Sequence, residues 1–105
     1  MKYIAVVTTI SKLDEAQTMA RVLVERKLAA CVQISEIQSF YAWNDAVQNE
    51  REYRVLFKTT SERYQSIEDA IRELHSYELP AIHAFAFENV YAPYAEWIES
   101  SSAGQ

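Results

Sequence analysis

Residues 2–37, KYIAVVTTISKLDEAQTMARVLVERKLAACVQISEI, carry the clearest pattern of secondary structure in the chain. Residues 2–9 are β-branched and apolar without clear alternation, which is typical of a central strand buried on both faces. Apolar residues then recur at three- and four-residue steps over residues 13–28, which predicts an amphipathic helix capped by Ser11. Residues 29–37 predict a second strand, which carries more polar side chains than the first. The chain therefore opens with a strand–helix–strand unit.

The second half of the sequence repeats this order. Its predicted elements are a turn at Asn44-Asp45, a strand over residues 53–60, a helix capped by Ser61, a strand over residues 81–88 and a short helix near Pro93. The pattern predicts one α+β domain over residues 1–99, a ferredoxin-like βαββαβ sandwich with a short C-terminal helix, followed by a flexible tail over residues 100–105. Right-handed crossovers would put both long helices on one sheet face, so we expect another subunit to cover the other, apolar face.

The composition narrows the classes of function. The chain has 105 residues, a formal net charge of −5 and no window rich in Lys and Arg, which argues against binding to nucleic acid. Its single cysteine cannot form an internal disulfide, and no segment approaches the roughly 18 apolar residues of a membrane span. We therefore expect a cytoplasmic protein with neither a nucleic-acid nor a membrane partner.

Five short segments, in order and with fitting spacing, resemble the CutA family of divalent-cation-tolerance proteins. They are Leu28-Ala29-Ala30-Cys31-Val32, Ser39-Phe40-Tyr41-Ala42-Trp43, Lys58-Thr59-Thr60, His75-Ser76-Tyr77-Glu78-Leu79-Pro80 and Tyr94-Ala95-Glu96-Trp97. The resemblance implies a ferredoxin-like subunit in a homotrimer, and a link to copper and other divalent metals. It also implies similarity to PII-type signalling trimers, which bind small effectors in clefts between subunits. No reaction is generally assigned to the family, so we expect no enzyme.

The sequence departs from the family pattern at several positions. Asp45 stands where the family has a turn glycine, and Ser76 where it has a proline. Ala81 replaces a glutamate, which removes a hard oxygen ligand or a hydrogen-bond acceptor. The apolar pattern is intact, so these differences are expected to affect the ligand cleft rather than the fold.

Three residues are candidate ligands for a divalent metal, Cu or Zn, although no cofactor is required. His75 is the first choice, because imidazole binds such metals and the residue matches a family motif; the alternative is a histidine that ends its helix. Cys31 is a soft ligand type, or a small core residue. His83 interrupts the fourth strand on the same face as Phe85, and the alternative is an interface histidine.

A further group of residues is predicted to lie in a cleft or at the subunit interface: Tyr41, Trp43, Lys58, Tyr77, Glu78 and Trp97. The aromatic rings could stack on a ligand or contact another subunit, and Lys58 could hold an anion or form an ion pair with Glu52 or Glu62. The spacing of the acidic residues, Glu50 and Glu52 included, indicates solvated faces.

Two hypotheses of function follow from these residues. The first is a trimeric protein of divalent cation tolerance with weak binding of Cu²⁺ or another divalent metal. The second is a PII-like signalling trimer that binds a small effector and has no metal role. An acylphosphatase-like enzyme is disfavoured, because the loop over residues 9–12 lacks an Arg and a Gly.

Overall fold

Alternating strand and helix patterns produce a mixed α+β fold in the computed structural model, which describes residues 2–104. Its elements are β1 (Tyr3–Ile10), α1 (Leu13–Glu25), β2 (Cys31–Trp43), β3 (Ala46–Thr60), α2 (Tyr64–Leu74), β4 (Ile82–Ala86) and α3 (Ala92–Ser101), with a 3-10 turn over Ser61–Arg63 before α2. The four strands form one antiparallel sheet in the order β2-β3-β1-β4. The α+β class and the predicted order of elements are confirmed.

The core lies between the sheet and the two long helices. Side chains alternate along a strand, so Ile4 and Val6 of β1 face the same side as Phe57 of β3. They join a buried cluster with residues of α1 and α2, namely Ala16, Met19, Leu23, Ile67, Ala70 and Ile71. Each large apolar side chain buried in this way contributes roughly 1.5–3 kcal/mol.

The third helix packs on the opposite face of the sheet. Tyr3 and Lys58 alternate with the core residues of their strands, so they point away from α1 and α2. The Tyr3 hydroxyl donates to Glu99 of α3 at 3.1 Å, and the Lys58 ammonium donates to the Tyr94 hydroxyl at 3.2 Å. Part of this face stays uncovered within the single chain, where Phe85 of β4 is 50% exposed.

A long hairpin projects beyond the rest of the sheet. β1 pairs only with residues 53–60 of β3, whereas β2 pairs with β3 all the way from Cys31–Lys58 to Trp43–Ala46. Residues 37–52, hereafter the arm, therefore form a two-stranded ribbon. Asn44 and Asp45 close it with φ angles of 52° and 58°, which confirms the predicted turn.

Both predicted helix caps are wrong. The residue before α1 is Lys12, and neither it nor Ser11 makes a side-chain cap bond to the helix, because β1 continues through Ile10 and the helix begins later. The backbone N–H of Ser61 donates to the carbonyl of Lys2 at 3.0 Å. This bond holds Ser61 at the end of the sheet, and α2 begins three residues later, after the 3-10 turn.

The C-terminal residues up to Gly104 contact the rest of the chain, and the flexibility of residues 100–105 stays a prediction. α3 continues through Ser101, and Ser102 is buried. The Arg63 guanidinium donates to the carbonyls of Ser102 and Ala103, which satisfies acceptors that a helix end leaves free. The Gly104 N–H donates to the Lys27 carbonyl at 2.9 Å. Gln105 lies outside the described residues.

Lys27 occupies a backbone position that normally favours glycine. Its φ is 56°, and it follows the last turn of α1. The N–H groups of Lys27 and Leu28 donate to the carbonyls of Val24 and Leu23, both at 3.0 Å. These two bonds form a Schellman motif, in which the left-handed residue is usually Gly.

We therefore expect Lys27→Gly to raise the free energy of unfolding by about 0.5–1 kcal/mol, because glycine adopts the left-handed conformation without a Cβ penalty. Urea denaturation monitored by circular dichroism measures the change. Lys27→Ala is the matched control, since it removes the same side chain but keeps the strain. An equal gain in both variants would assign the effect to the lysine side chain rather than to the backbone.

Candidate functional site

A cavity of about 810 Å³ lies where the arm meets the end of β1 and the loop after α2. This volume is within the range typical of small-molecule sites. Its lining residues are Thr9, Ser39, Phe40, Tyr41, Ala42, Trp43, Asn44, Gln48, Glu50, Glu52, Tyr77, Glu78, Leu79 and Ala81. Four of the residues predicted for a cleft or an interface are thus brought together: Tyr41, Trp43, Tyr77 and Glu78.

Glu52 is the most buried carboxylate of this cavity. The residue is 4% exposed, and one of its oxygens accepts a hydrogen bond of 2.6 Å from the Tyr77 hydroxyl. A buried carboxylate is costly unless it is paired or hydrogen-bonded. Among residues 2–104 the one side-chain ion pair joins Arg51 to Glu36, so Glu52 has only a neutral partner there. Its prediction as a residue of a solvated face is therefore wrong.

His75 holds the loop that carries Tyr77. The residue follows α2 in an extended conformation, and its Nδ1 accepts a hydrogen bond of 3.0 Å from the Tyr77 backbone N–H. Its Nε2 therefore carries the proton and donates to the Thr9 carbonyl at 2.7 Å. The two rings lie 4.6 Å apart. Both ring nitrogens are engaged, so a metal ion at His75 would have to displace one of these bonds.

The surroundings of two cavity tyrosines keep their hydroxyl groups protonated. Partial burial and the hydrogen bond to Glu52 raise the pKa of Tyr77 far above its ordinary value. Partial desolvation and the nearby Glu50 carboxylate raise the pKa of Tyr41 as well. Both phenols are therefore hydrogen-bond donors at neutral pH, and the negative charge of the cavity lies on its carboxylates.

Lys58 and Trp97 lie outside the lining of this cavity. The Lys58 ammonium is 5.4 Å from the centre of the Tyr94 ring, which stacks on Trp97 at 5.5 Å with an angle of 20°. The ion pair with Glu52 or Glu62, one of the two alternatives for Lys58, does not form among the described side chains, and the ammonium donates to Tyr94 instead. Lys58 and Trp97 thus belong to the α3 side of the sheet.

The three candidate metal ligands lie on separate elements. Cys31 begins β2 and pairs with Lys58, His75 follows α2, and His83 lies exposed on β4 with its ring 5.1 Å from that of Phe85. No group of three or more His, Cys, Asp or Glu side chains placed to hold a metal ion occurs within residues 2–104. The structure therefore does not assemble the predicted ligands into one site.

Sequence reasoning missed Glu50 and Glu52 as cavity residues. The available signal was alternation, since both residues point to the same strand face as Ile37 and Tyr41 across the hairpin. What the sequence did not show is that Tyr77, 25 residues further along, would cover one end of that face.

Replacement of Tyr77 by Phe tests the bond to Glu52. The change keeps the ring and leaves a buried carboxylate without its donor, so we expect a loss of about 2 kcal/mol in the free energy of unfolding at pH 7. Urea denaturation measures this loss. The matched control is Tyr3→Phe, which removes an exposed hydrogen bond to Glu99 and is expected to cost less.

The same variant makes a prediction for alkaline pH. The unfolded chain releases the Tyr77 proton near pH 10.0 and the folded chain retains it, so the native state binds more protons there. The protonated Tyr77 hydroxyl therefore contributes fully to the free energy of unfolding below pH 10, and this contribution is lost as the pH rises above 10. Above pH 10, the free energy of unfolding of wild type should therefore fall more steeply with pH than that of Tyr77→Phe. Parallel plots of the free energy of unfolding against pH for the two proteins would contradict the raised pKa of Tyr77.

Comparison with known proteins places this architecture in a family. Residues 4–101 match the family described as CutA1 divalent ion tolerance protein. The chain is 36% identical over 93 residues to the divalent-cation tolerance protein CutA of Archaeoglobus fulgidus, which covers 89% of this chain and 91% of that protein. It is also 36% identical over 98 residues to the protein of the same name from Thermotoga maritima, covering 93% and 97% of the two chains.

Solved structures agree with the sequence matches. The structure described as the periplasmic divalent cation tolerance protein CutA from Archaeoglobus fulgidus superposes with a TM-score of 0.93 at 33% identity, covering 95% of this chain and 98% of that one. CutA from Synechococcus elongatus PCC7942 gives a TM-score of 0.93 at 36% identity, covering 96% and 90%. The chain therefore belongs to the CutA family of divalent-cation-tolerance proteins.

Proposed function

We propose that this protein acts in divalent cation tolerance as a homotrimer of ferredoxin-like subunits, with no catalytic step of its own. The relatives that match it over most of their length carry this function in their names. The structural observation that carries the assembly is the arm, which exposes apolar side chains that a single chain leaves uncovered.

The arm needs support from outside its own chain. An isolated two-stranded ribbon is marginally stable in water, and residues 46–52 have β2 as their sheet neighbour but not β1. Phe40 is 65% exposed and Val47 is 77% exposed on one face of the ribbon. The radius of gyration, 14.2 Å, exceeds the roughly 13 Å of a compact chain of this length. These features support an arm that packs on a neighbouring subunit.

The geometry of such a contact favours a closed ring. The arm would dock on a different surface of the next chain, such as the uncovered sheet face that carries Phe85. A contact between unlike surfaces generates rings when the rotation closes, and three copies are the assembly that the family resemblance implies.

We also propose that the protein binds divalent metal ions weakly and reversibly. His75 is the proposed ligand with the strongest family support, and each of its ring nitrogens already has a partner. Cu²⁺ or Zn²⁺ would compete with these bonds, so we expect EDTA to leave the assembly unchanged. A metal-dependent shift in melting temperature that disappears in His75→Ala would identify this residue as the ligand.

The assembly is tested by the molar mass in solution. We expect light scattering to give three times 12.1 kDa for wild type, and a lower mass for Phe40→Asp, which places a charge on the apolar face of the arm. Leu13→Asp is the control, because Leu13 is a similarly large, exposed apolar residue on α1. A single-chain mass for wild type, or equal effects of the two substitutions, would contradict the role of the arm.

The tolerance function is tested in cells. A bacterial strain without its own CutA is expected to grow better at elevated CuCl₂ when it expresses this chain, and Phe40→Asp should lose that gain if the trimer is the active form. Identical growth with and without the wild-type chain, at equal expression, would contradict the proposal.

The cavity supports a second candidate function, a trimer that binds a small effector. Aromatic rings and carboxylates converge on one concave site there, which is the usual arrangement of ligand pockets. Thermal-shift screening against nucleotides, amines and small carboxylic acids tests it, and a screen without any stabilising compound at millimolar concentration would exclude it.

A further inference from the structure

We infer that the cavity at the root of the arm binds an organic cation, a protonated amine that carries an apolar group. The inference rests on the second candidate function and names the class of its ligand. It follows from three properties of the lining: the sign of its charge, the state of Glu52 and the nature of its walls.

The charge of the lining selects cations. Glu50, Glu52 and Glu78 contribute carboxylates, and the lining contains neither Lys, Arg nor His. The net charge of the chain, −5, has the same sign. A concave wall of one charge sign raises the local concentration of the opposite ion and repels its own. The cavity therefore disfavours nucleotides and other anions, and Lys58, for which anion binding was one of two alternatives, lies outside it.

Glu52 points independently to a cationic partner. Its residue is 4% exposed, it lines the cavity, and its side-chain partner is a neutral phenol at 2.6 Å. Buried carboxylates are usually paired with a cation, and the described part of the chain offers none within ion-pairing distance. An ammonium group in the cavity would supply both the charge and the N–H donors for the carboxylate oxygens.

The walls favour an organic cation over a metal ion. Tyr41, Trp43 and Tyr77 present aromatic rings, which attract ammonium groups through their faces but offer few lone pairs to a metal. Leu79 adds apolar surface. A volume of about 810 Å³ fits a molecule rather than a single ion, and residues 2–104 show no metal-binding cluster.

A matched series of three compounds tests the inference on the assembled wild-type protein. Benzylammonium, benzyl alcohol and benzoate share one ring and differ in charge, so their affinities isolate the electrostatic contribution. Calorimetric titration at neutral pH should show benzylammonium binding about tenfold more tightly than benzyl alcohol, and benzoate more weakly than either.

Three variants assign the effect to the site. Glu52→Gln keeps the shape and removes the charge, so it should weaken benzylammonium about fivefold while leaving benzyl alcohol unchanged. Glu25→Gln, on the exposed end of α1, makes the same change in net charge and should alter neither affinity. If Glu52→Gln does not fold, Glu50→Gln replaces it. Glu50 is an exposed residue of the cavity, so its substitution should not affect folding, and it should also weaken benzylammonium without changing the affinity for benzyl alcohol.

Each outcome decides between the proposals. Equal affinities for benzylammonium and benzyl alcohol would show that the positive charge of the ligand does not contribute to binding, and would overturn the inference. Stabilisation by nucleotides or carboxylic acids without an effect of amines would keep the effector function and overturn its cationic class. A trimer that binds none of the three probes would overturn the inference as well, with the tolerance function unaffected.

Discussion

The difference in length between β3 and β1 shapes both the arm and the cavity. β3 has 15 residues and β1 has eight, so residues 46–52 extend past the strand that would otherwise flank them. The extension leaves each strand of the arm with the other as its one sheet neighbour, and it leaves aromatic rings exposed. It also leaves a concave corner beside the end of β1. The need for a neighbouring subunit and the existence of the cavity therefore have the same origin.

The loop after α2 closes that corner through a short chain of hydrogen bonds. His75 joins the end of β1 to the backbone of Tyr77, and Tyr77 reaches Glu52 at the root of the arm. Hydrogen bonds to charged groups contribute about 1.5–3 kcal/mol each, and truncation of the phenol would leave the carboxylate buried without a donor. The motif His75-Ser76-Tyr77-Glu78-Leu79-Pro80 thus connects the main sheet to the arm, a structural role that accounts for His75 without a metal.

Features set by local sequence could be predicted, and those set by distant contacts could not. The order of elements, the Asn44-Asp45 turn and the helix that begins near Pro93 follow from periodicity and from the backbone preferences of single residues. The burial of Glu52 depends on a tyrosine 25 residues away, and the contact of the C-terminal end with the rest of the chain depends on Arg63, 39 residues before Ser102. No window of the sequence contains both partners of these contacts.

The departures from the family pattern fall into two physical classes. Asp45 is accommodated, because it adopts the left-handed conformation of the turn with a φ of 58°. Ala81 lies in the cavity wall with Glu78 and Leu79, at a position where the family resemblance implies a glutamate. The substitution removes an oxygen ligand from the wall but leaves the buried Glu52 and the aromatic rings in place. It therefore reduces the suitability of the cavity for a divalent ion, which needs several oxygen ligands, more than its suitability for an ammonium group, which needs one carboxylate and a ring face.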